Sequence, residues 1–462
     1  MDSLDALNPL DGRYRKQVEE LSEIFSERGL MKHRVKVEGE YLISLSKHPQ
    51  VGVRGFSDKE KELVRGLYAL PLDEARIIKA IETKGFGDIK RTNHDVKAVE
   101  YYMKYKLKKT SLEDCLEWIH FGLTSEDVNN LSYAMALSDG LEKIIIPTLD
   151  KIVEKIDEFS ERYKSFPMLT RTHGQPASPS TFGKEFRVFS SRLERQVNQL
   201  KNSSILAKLN GATGNYNAHH VAFPNVDWID FSRNFIEGFN ENRMIKLNPN
   251  FITTQIEPHD TYAELFDNLR RVNTILIDFS EDMWRYISDD WIVQKPVEGE
   301  VGSSTMPNKV NPIDLENGEG NCGLSNALAN FFSIKLPISR LQRDLSDSTV
   351  ERNFGVALGY GLVAYNSLLK GLSKISVNEQ KVTEALDRHP EVISEAIQTI
   401  LRREGVEGAY EKLKELTRGR KIIMDDLRIF IDTLDVPQNV KEELKRITPR
   451  NYIGIANKLV DV

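Results

Sequence analysis

The sequence predicts an all-α protein in which a central bundle of long helices is flanked by two smaller helical domains. Three observations predict this class: apolar residues recur at helical spacing, strand-like runs are sparse, and Gly and Pro interrupt the pattern mainly near the ends of the chain. We place the N-terminal helical domain at residues 1–113, the bundle at 114–379 and the C-terminal helical domain at 380–462.

The longest predicted helix carries a heptad pattern. From Tyr262 to Tyr286 the apolar positions alternate steps of three and four residues, which keeps them on one helix face. At ~1.5 Å per residue this helix is about 40 Å long. Because a small neighbour cannot cover such a face, we expect the helices to lie along one another in a bundle that extends across subunits.

Further apolar stripes complete the bundle. They run over Phe182–Leu200, over Leu149–Phe159 with Pro147 tolerated in the first turn, and over 315–335 and 355–377. The flanking domains contain shorter helices, interrupted at Gly52, Gly55, Pro71, Gly85 and Gly87 and at Pro390, Gly405 and Pro437.

Composition narrows the class of protein. The 462 residues are 40% apolar and 29% charged with a net charge of −6, which is typical of a soluble globular protein and disfavours broad nucleic-acid binding. One short basic run is typical of a solvated helix face: Lys104, Lys106, Lys108 and Lys109.

The small number of cysteines and the absence of long apolar runs predict a cytoplasmic location. Cys115 and Cys322 lie far apart without CxxC spacing, so we expect neither a disulfide framework nor a Cys-rich zinc site. The N-terminal segment has no apolar core of a secretory signal, and no run of about 18 apolar residues could span a membrane.

The segment Gly299–Pro312, with the sequence GEVGSSTMPNKVNP, is unusually polar. It fits a flexible surface loop or a lid that handles anions. In the second interpretation glycines let the backbone approach a ligand, Ser303 and Ser304 supply hydroxyls, and Lys309 and Asn311 donate to a carboxylate.

Two histidines lie in polar segments. His173, in TRTHGQPASPST at 170–181, is either structural or a general acid or base, since imidazole titrates near neutral pH. His94 begins a predicted helix, where backbone N–H groups favour anions.

Two other segments allow a structural and a functional interpretation. Leu123–Asn130 has two equally good interpretations: a helix N-cap, or a pair of hydroxyls that binds a ligand carboxylate. A second group is suited to phosphate or to surface ion pairs: Arg340, Arg343, Ser348, Thr349 and Arg352.

Two motifs mimic other classes of protein. Gly318, Gly320 and Gly323 spell GxGxxG, but no predicted strand precedes them, so we reject a dinucleotide site. His94-Asp95 and His259-Asp260 resemble metal ligands of a phosphohydrolase but lack further ligands at suitable spacing. We therefore predict no metal and no cofactor.

The polar loop resembles the signature GSSxMPxKxNP of the fumarase/aspartase superfamily. Within the superfamily the chain is similar to the adenylosuccinate lyase family, in the bacterial-type branch with KVNPID in the loop, although Asn308 replaces the expected His. The matching segments are DGRY at 11–14, TNHDVKAVE at 92–100, TSEDVNN at 124–130, TRTHGQPASPST at 170–181, NGATGNYNAH at 210–219, TTQIEPHD at 253–260, SSTMPNKVNPIDLEN at 303–317 and ELTRGR at 415–420.

This resemblance implies a fumarase/aspartase-like fold and a homotetramer whose active sites are shared between subunits. It also implies β-elimination of fumarate from adenylosuccinate, giving AMP, and from succinylated aminoimidazole carboxamide ribotide (SAICAR), giving AICAR. The resemblance implies no metal and no redox cofactor. It also implies no binding to nucleic acid or to a membrane.

The resemblance also assigns roles to residues. Ser303 matches the general base, although residue type alone does not distinguish it from the adjacent Ser304. His173 matches the acid that protonates the leaving purine nitrogen. Glu316 would hold the imidazole, Lys309 would stabilise the carbanion, and His94 is a second catalytic histidine. The implied substrate-binding residues are Arg13, Tyr14, Asn93, His94, Asp95, Thr124, Ser125, Gln255, Lys309, Asn311, Arg343, Ser348, Thr349 and Arg352.

Two alternatives stay open at this point. One is another lyase of the superfamily, acting on argininosuccinate, malate or aspartate, against which the cluster suited to phosphate and the KVNPID extension argue. The other is a non-catalytic structural protein on the same bundle, comparable to lens crystallins, against which the presence of Ser303, His173, Lys309 and Glu316 argues.

Overall fold

The computed structural model describes residues 2–296, 305–306, 308–417 and 422–462. Over these residues the chain is mostly helical, which confirms the all-α prediction. The helices are α1 Glu19–Phe25, α2 Glu27–Lys47, α3 Asp58–Gly66, α4 Leu72–Thr83, α5 Asp95–Leu107, α6 Ser125–Gly140, α7 Ile146–Arg162, α8 Phe182–Lys201, α9 Asn217–Ala222, α10 Trp228–Glu237, α11 Asp260–Ser288, α12 Ile313–Lys335, α13 Ser346–Glu351, α14 Phe354–Lys374, α15 Glu379–Asp387, α16 Ser394–Arg403, α17 Ala409–Thr417, α18 Met424–Asp432, α19 Gln438–Arg446 and α20 Ala456–Leu459.

The strands of the described residues are short. They are β1 Pro167–Thr172, β2 Gln175–Thr181, β3 Ser204–Ala207, β4 Lys246–Pro249, β5 Ile292–Gln294 and β6 Ile375–Val377. They pair as an antiparallel β1–β2 hairpin, a parallel β3–β4 pair and an antiparallel β5–β6 pair.

The long helices lie where the apolar stripes predict them. Helix α11 has 29 residues and contains the whole heptad pattern, and α7, α8 and α12 match the other stripes. Helix α14 ends at Lys374, three residues earlier than expected. Ile375 and Val377 are buried with Ser376 between them, so this alternation continues the chain as strand β6.

The chain forms two compact units. The first comprises Met1–Leu149, Gln196–Leu276 and Gly320–Asn366, and the second comprises Asp150–Arg195, Ile277–Glu319 and Ser367–Val462. The division into three domains made from the sequence stays a prediction.

In the first unit, segments of three long helices meet around an aromatic core. The rings of Phe266 and Phe332 lie 4.8 Å apart in a T-shaped arrangement, and Phe354 contacts both. Nearby, the Tyr365 hydroxyl donates to Oδ1 of buried Asn273 over 2.6 Å. Both polar groups are therefore satisfied inside the bundle.

Helix α6 is buried on every side within the first unit. Each residue from Glu126 to Ser138 is inaccessible or nearly so, including Asp127 and Asn130. A buried polar residue needs a partner, so this helix carries charged groups to the interior only where other segments compensate them. The sequence indicated its N-cap but not this burial.

In the second unit, α8 and α11 contact each other through aromatic rings. Phe189 and Phe279 are buried, with ring centroids 5.3 Å apart in a T-shaped arrangement. The hairpin β1–β2 was not predicted from the sequence; Pro176 and Pro179 lie in β2, although proline disfavours a strand.

The GxGxxG motif lies inside α12, where Gly318 allows close approach: an added Cβ would stand 2.7 Å from the Leu368 side chain. Among the described residues, no helix is long and apolar enough to cross a membrane.

Candidate active site

His94 and Ser125 meet where two helices of the first unit begin. His94 is the N-cap of α5, and its Nδ1 accepts from the Lys97 backbone N–H over 3.3 Å. Its Nε2 lies 3.3 Å from Ser125 Oγ. Because Nδ1 acts as an acceptor, a neutral imidazole carries its proton on Nε2. Half of the His94 side chain is exposed, so this donor is accessible to a ligand.

The N-terminus of α6 is fixed by Asp127. Its Oδ2 accepts from the Thr124 backbone N–H over 2.9 Å, which orders the residue before the helix. Thr124 and Ser125 are partly exposed, whereas the helix behind them is buried. Hydroxyls at the positive end of a helix dipole favour a carboxylate.

Asp95 holds two arginines at the start of α5. Its Oδ2 accepts from Nη2 of Arg34 and from Nη2 of Arg352, each over 2.8 Å. Burial raises the pKa of Asp95, but the guanidinium groups and the Val96 N–H outweigh this effect and lower the pKa to about 2. Asp95 is therefore an anion at neutral pH, and it orients Arg352, whose side chain stays 40% exposed.

Arg343 is held by one hydrogen bond and by ion pairs with Glu126 and Asp347. Its Nη1 donates to Gln255 Oε1 over 3.3 Å, and its Nη2 lies 3.0 Å from Glu126 Oε2. The other end of the Gln255 amide donates to the carbonyl of Ala212. This places two predicted substrate-binding residues, Arg343 and Gln255, in direct contact.

A buried ion pair lies beneath the N-terminus of α6 and the segment that carries Gln255. Lys208 Nζ lies 2.8 Å from Asp127 Oδ1, and both side chains are fully buried. Lys208 also donates to the carbonyls of Gly211 and Gln255. The pair thus joins the first turn of α6 to the segment that carries Gln255. Sequence reasoning missed it, although both residues lie in or beside segments that resemble the family.

One group in the described part of the chain has the chemistry of a metal site. Glu126, His259 and Glu351 are buried, with candidate ligand atoms all within 4.8 Å of one another. Burial raises the pKa of Glu351 well above its usual range and lowers the pKa of His259 to about 4. A proton and Arg343 therefore compensate this cluster, and a cation would compete with both.

The remaining predicted residues of the first unit lie at the surface. Ser348 and Thr349 lie on α13, between Arg343 and Arg352 in the sequence, and the Ser348 hydroxyl donates to the carbonyl of Leu345. Arg13 is exposed, whereas Tyr14 contacts a buried cluster around Leu10. Asn93 adopts a left-handed backbone conformation with φ of 54°.

His173 lies at the tip of the β1–β2 hairpin in the second unit. It is exposed, has φ of 54° and forms no hydrogen bond among the described residues. Arg171 anchors the hairpin, since its guanidinium pairs with Asp289 over 2.8 Å and lies 4.3 Å from the ring centroid of Trp291. The imidazole is thus presented on an anchored turn.

The polar loop is described only in part. Ser303 and Ser304 lie outside the described residues, whereas Lys309 is exposed and Asn311 partly exposed. Glu316 accepts from Trp284 Nε1 over 3.2 Å. Among the described residues of one chain no hydrogen bond joins Glu316 to His173, so their pairing stays a prediction.

Comparison with solved structures defines the class of fold. The chain matches the 3-carboxy-cis,cis-muconate lactonizing enzyme of Pseudomonas putida with a TM-score of 0.73 and 18% identity, over 98% of each chain. It matches the fumarate lyase of Mesorhizobium sp. BNC1 with a TM-score of 0.68 and 17% identity, over 96% of each chain. This is the fold of the fumarase/aspartase superfamily.

Sequence comparison gives the family. The lyase family model matches residues 12–324, and the adenylosuccinate lyase C-terminal model matches residues 339–453. The chain is 50% identical to adenylosuccinate lyase of Haemophilus influenzae and 49% identical to that of Escherichia coli K12, over 100% of this chain and 99% of each relative. It is 49% identical to that of Dictyostelium discoideum, over 98% of this chain and 97% of the relative. The chain belongs to the adenylosuccinate lyase family.

Proposed function

We propose that this chain cleaves adenylosuccinate to AMP and fumarate, and SAICAR to AICAR and fumarate, in purine biosynthesis. The observation that carries the proposal is the 50% identity, over the full length, to an enzyme named adenylosuccinate lyase. The geometry of the first unit fits such a substrate, because it combines anchored guanidinium groups with exposed hydroxyls and an imidazole donor.

The reaction requires removal of a weakly acidic C–H proton while a C–N bond breaks. The electron pair of the C–H bond forms the new C=C bond, and negative charge develops on the adjacent carboxylate. Donors aimed at that carboxylate stabilise the transition state most. We assign this role to Lys309 and Asn311, whose side chains are at least partly exposed.

General acid and base catalysis completes the elimination. We assign the base to Ser303, which needs a cationic environment because a free hydroxyl is a very poor base. We assign the acid to His173, which would protonate the leaving nitrogen, and we propose Glu316 as its positioning residue. His94 is assigned a contact through its Nε2–H, the proton that the N-cap hydrogen bond leaves on the exposed side.

The remaining substrate-binding assignments follow from charge. Arg343 and Arg352 suit the phosphate together with Ser348 and Thr349, because guanidinium groups bind phosphate by paired hydrogen bonds. Thr124 and Ser125 suit a carboxylate at the N-terminus of α6. Around the nucleotide we place Arg13, Tyr14, Asn93, Asp95 and Gln255.

We also propose a homotetramer whose active sites combine residues from different subunits. Helix α12 exposes Leu324, Phe331 and Ile334, at spacings of seven and three residues, which brings them onto one face. An apolar face of this kind is typical of a subunit interface.

We further propose that the enzyme needs no redox cofactor and that it is located in the cytoplasm. The elimination changes no oxidation state overall and proceeds by proton transfer, so it requires no redox cofactor. Cys115 and Cys322 are free and buried, which suits a reducing cytoplasm.

The test is turnover of adenylosuccinate by the purified protein, followed by release of fumarate and AMP. We expect His173→Asn and Ser303→Ala each to lower kcat at least a hundredfold, because general acid and base groups contribute roughly 10²–10⁴-fold. The matched control is His389→Asn, a histidine between α15 and α16, which should retain full activity. Normal turnover of either site variant would refute the role given to that residue.

Two further measurements test the open alternatives. Preferential turnover of argininosuccinate, malate or aspartate would replace the substrate assignment, and a folded tetramer without lyase activity would support a structural protein.

A separate experiment tests whether active sites are shared between subunits. Mixing and reassembling inactive His173→Asn and Lys309→Ala proteins should restore part of the activity. Absence of restored activity in confirmed mixed tetramers would contradict sharing of these two residues.

A further inference from the structure

An open groove lies along one face of α5 in the first unit. It encloses about 1120 Å³ between this helix and the loop 86–92. Lys97, Tyr101, Lys104 and Tyr105 line it from α5 and Lys108 from the C-cap, at spacings that place them on one helix face. We call this feature the basic groove. Its lining contains no residue that we assign to the elimination site.

Positive charge is concentrated in the basic groove, although the chain as a whole is acidic. Seven Lys and Arg residues line it against one acid, Asp88, whereas the net charge of the chain is −6. Three of the lysines have carboxylate partners, for example Lys97 with Glu100 and Lys106 with Glu74. In the part of the chain that the structure describes, the other four cations have no carboxylate partner: Lys90, Arg91, Lys108 and Lys109.

Helix stability explains only part of this charge. Lysines near the C-terminus of α5 interact favourably with the helix dipole, which accounts for Lys104 and Lys106. It does not account for Lys90 and Arg91, which line the groove from the loop 86–92. Uncompensated cations that line one groove repel each other, and an anion bound among them would relieve that repulsion.

Aromatic rings form an apolar part of the same groove. Phe86 and Tyr105 lie 5.4 Å apart in a T-shaped arrangement, and 47% of Tyr105 is exposed. The ammonium group of Lys97 lies 5.1 Å from the ring centroid of Tyr101. An exposed ring beside cations is suited to stack on a base while the cations bind phosphate.

We propose that the basic groove is a second nucleotide site that binds a nucleoside polyphosphate. The phosphates lie between Lys90 and Arg91 on the loop and Lys108 and Lys109 at the end of α5, and the base stacks on Tyr105. Ligand pockets commonly enclose about 300–1,000 Å³, so the groove has room for one nucleotide. A long nucleic acid would require a wider basic surface than this acidic chain offers.

The test uses ATP as the probe and isothermal titration calorimetry of the assembled protein, with AMP and fumarate present to occupy the elimination site. We expect one ATP per chain in the wild type and at least tenfold weaker binding in Lys108→Ala/Lys109→Ala. The matched control, Lys59→Ala/Lys61→Ala, removes the same charge from α3 and should bind normally. Neither pair should change kcat or KM in the absence of ATP, which also shows that both variants are folded.

A second variant separates the base from the phosphates. Tyr105→Leu should weaken ATP binding several-fold and leave the binding of inorganic tripolyphosphate unchanged. Failure of ATP to bind, or equal weakening in the two lysine pairs, would overturn the site. Tripolyphosphate binding as tightly as ATP would overturn the nucleoside ligand.

Discussion

Arg343 Nη2 lies 3.0 Å from Glu126 Oε2, and this contact joins two parts of the candidate site. Glu126 directly follows Ser125 in the first turn of α6 and is fully buried. Arg343 is 13% exposed, so part of its side chain remains accessible. The pair therefore fixes the distance between a helix N-terminus suited to carboxylate and a guanidinium suited to phosphate.

Glu126→Gln should raise KM for adenylosuccinate roughly tenfold and change kcat less. The substitution removes the negative charge that lies 3.0 Å from Arg343, and a tenfold change in affinity corresponds to about 1.4 kcal/mol of lost interaction. Steady-state kinetics would measure this, with exposed Glu237→Gln as the control. A variant with lower stability but unchanged KM would contradict the positioning role.

The surface residues of this site were predicted from the sequence, whereas the residues beneath them were not. His94, Ser125 and Gln255 lie in short polar segments that resemble the family, and Arg343 lies in a polar cluster suited to phosphate. Glu126 acquires its role only from partners more than two hundred residues away in the chain. Helical periodicity reports which face is apolar, but it does not report which distant cation compensates a buried acid.

The same contrast applies to the fold. The heptad pattern located α11 because the pattern is local and long. The hairpin that carries His173 was missed because Pro176 and Pro179 suggest a loop, and only pairing with β1 makes that segment a strand. Tertiary pairing overrides local propensity at such sites.

Lys208→Met should strongly destabilise the protein. It would leave Asp127 as an unpaired buried charge, and breaking such a pair costs about 3–5 kcal/mol. Urea unfolding followed by circular dichroism would show a lower midpoint. Lys61→Met is the control, because its pair with Asp58 is exposed and should leave the midpoint unchanged. Similar midpoints for both variants would exclude a structural role for the buried pair.

Gly355→Ala should destabilise the first unit by displacing Phe25. A Cβ at position 355 would stand 2.4 Å from the Phe25 Cβ, and one at Gly140 would stand 2.6 Å from its ring. Overpacking of this kind costs about 1–3 kcal/mol. The control is Gly66→Ala at the end of α3, where a Cβ meets nothing within 4 Å. Thermal unfolding should show a lower midpoint only for Gly355→Ala; an unchanged midpoint would mean that Phe25 moves freely.

Glu257 makes stability depend on pH. Burial raises its pKa from 4.5 to about 7, although hydrogen bonds from Asn250 and from the His259 N–H act in the opposite direction. The folded protein therefore retains a proton that the unfolded chain has released between these two pH values. By linkage, the contribution of Glu257 to stability is present at low pH and is lost as the pH rises toward 7.

The expected result is a fall in the free energy of unfolding between pH 4.5 and 7 that is smaller in Glu257→Gln than in the wild type. The difference reaches about 3 kcal/mol at most, because each pKa unit corresponds to about 1.4 kcal/mol. Urea unfolding across this pH range measures both slopes, so a constant loss of stability in the variant does not affect the comparison. Exposed Glu237→Gln should retain the wild-type slope. Equal slopes for Glu257→Gln and the wild type would show that Glu257 is ionised in the folded protein throughout this range.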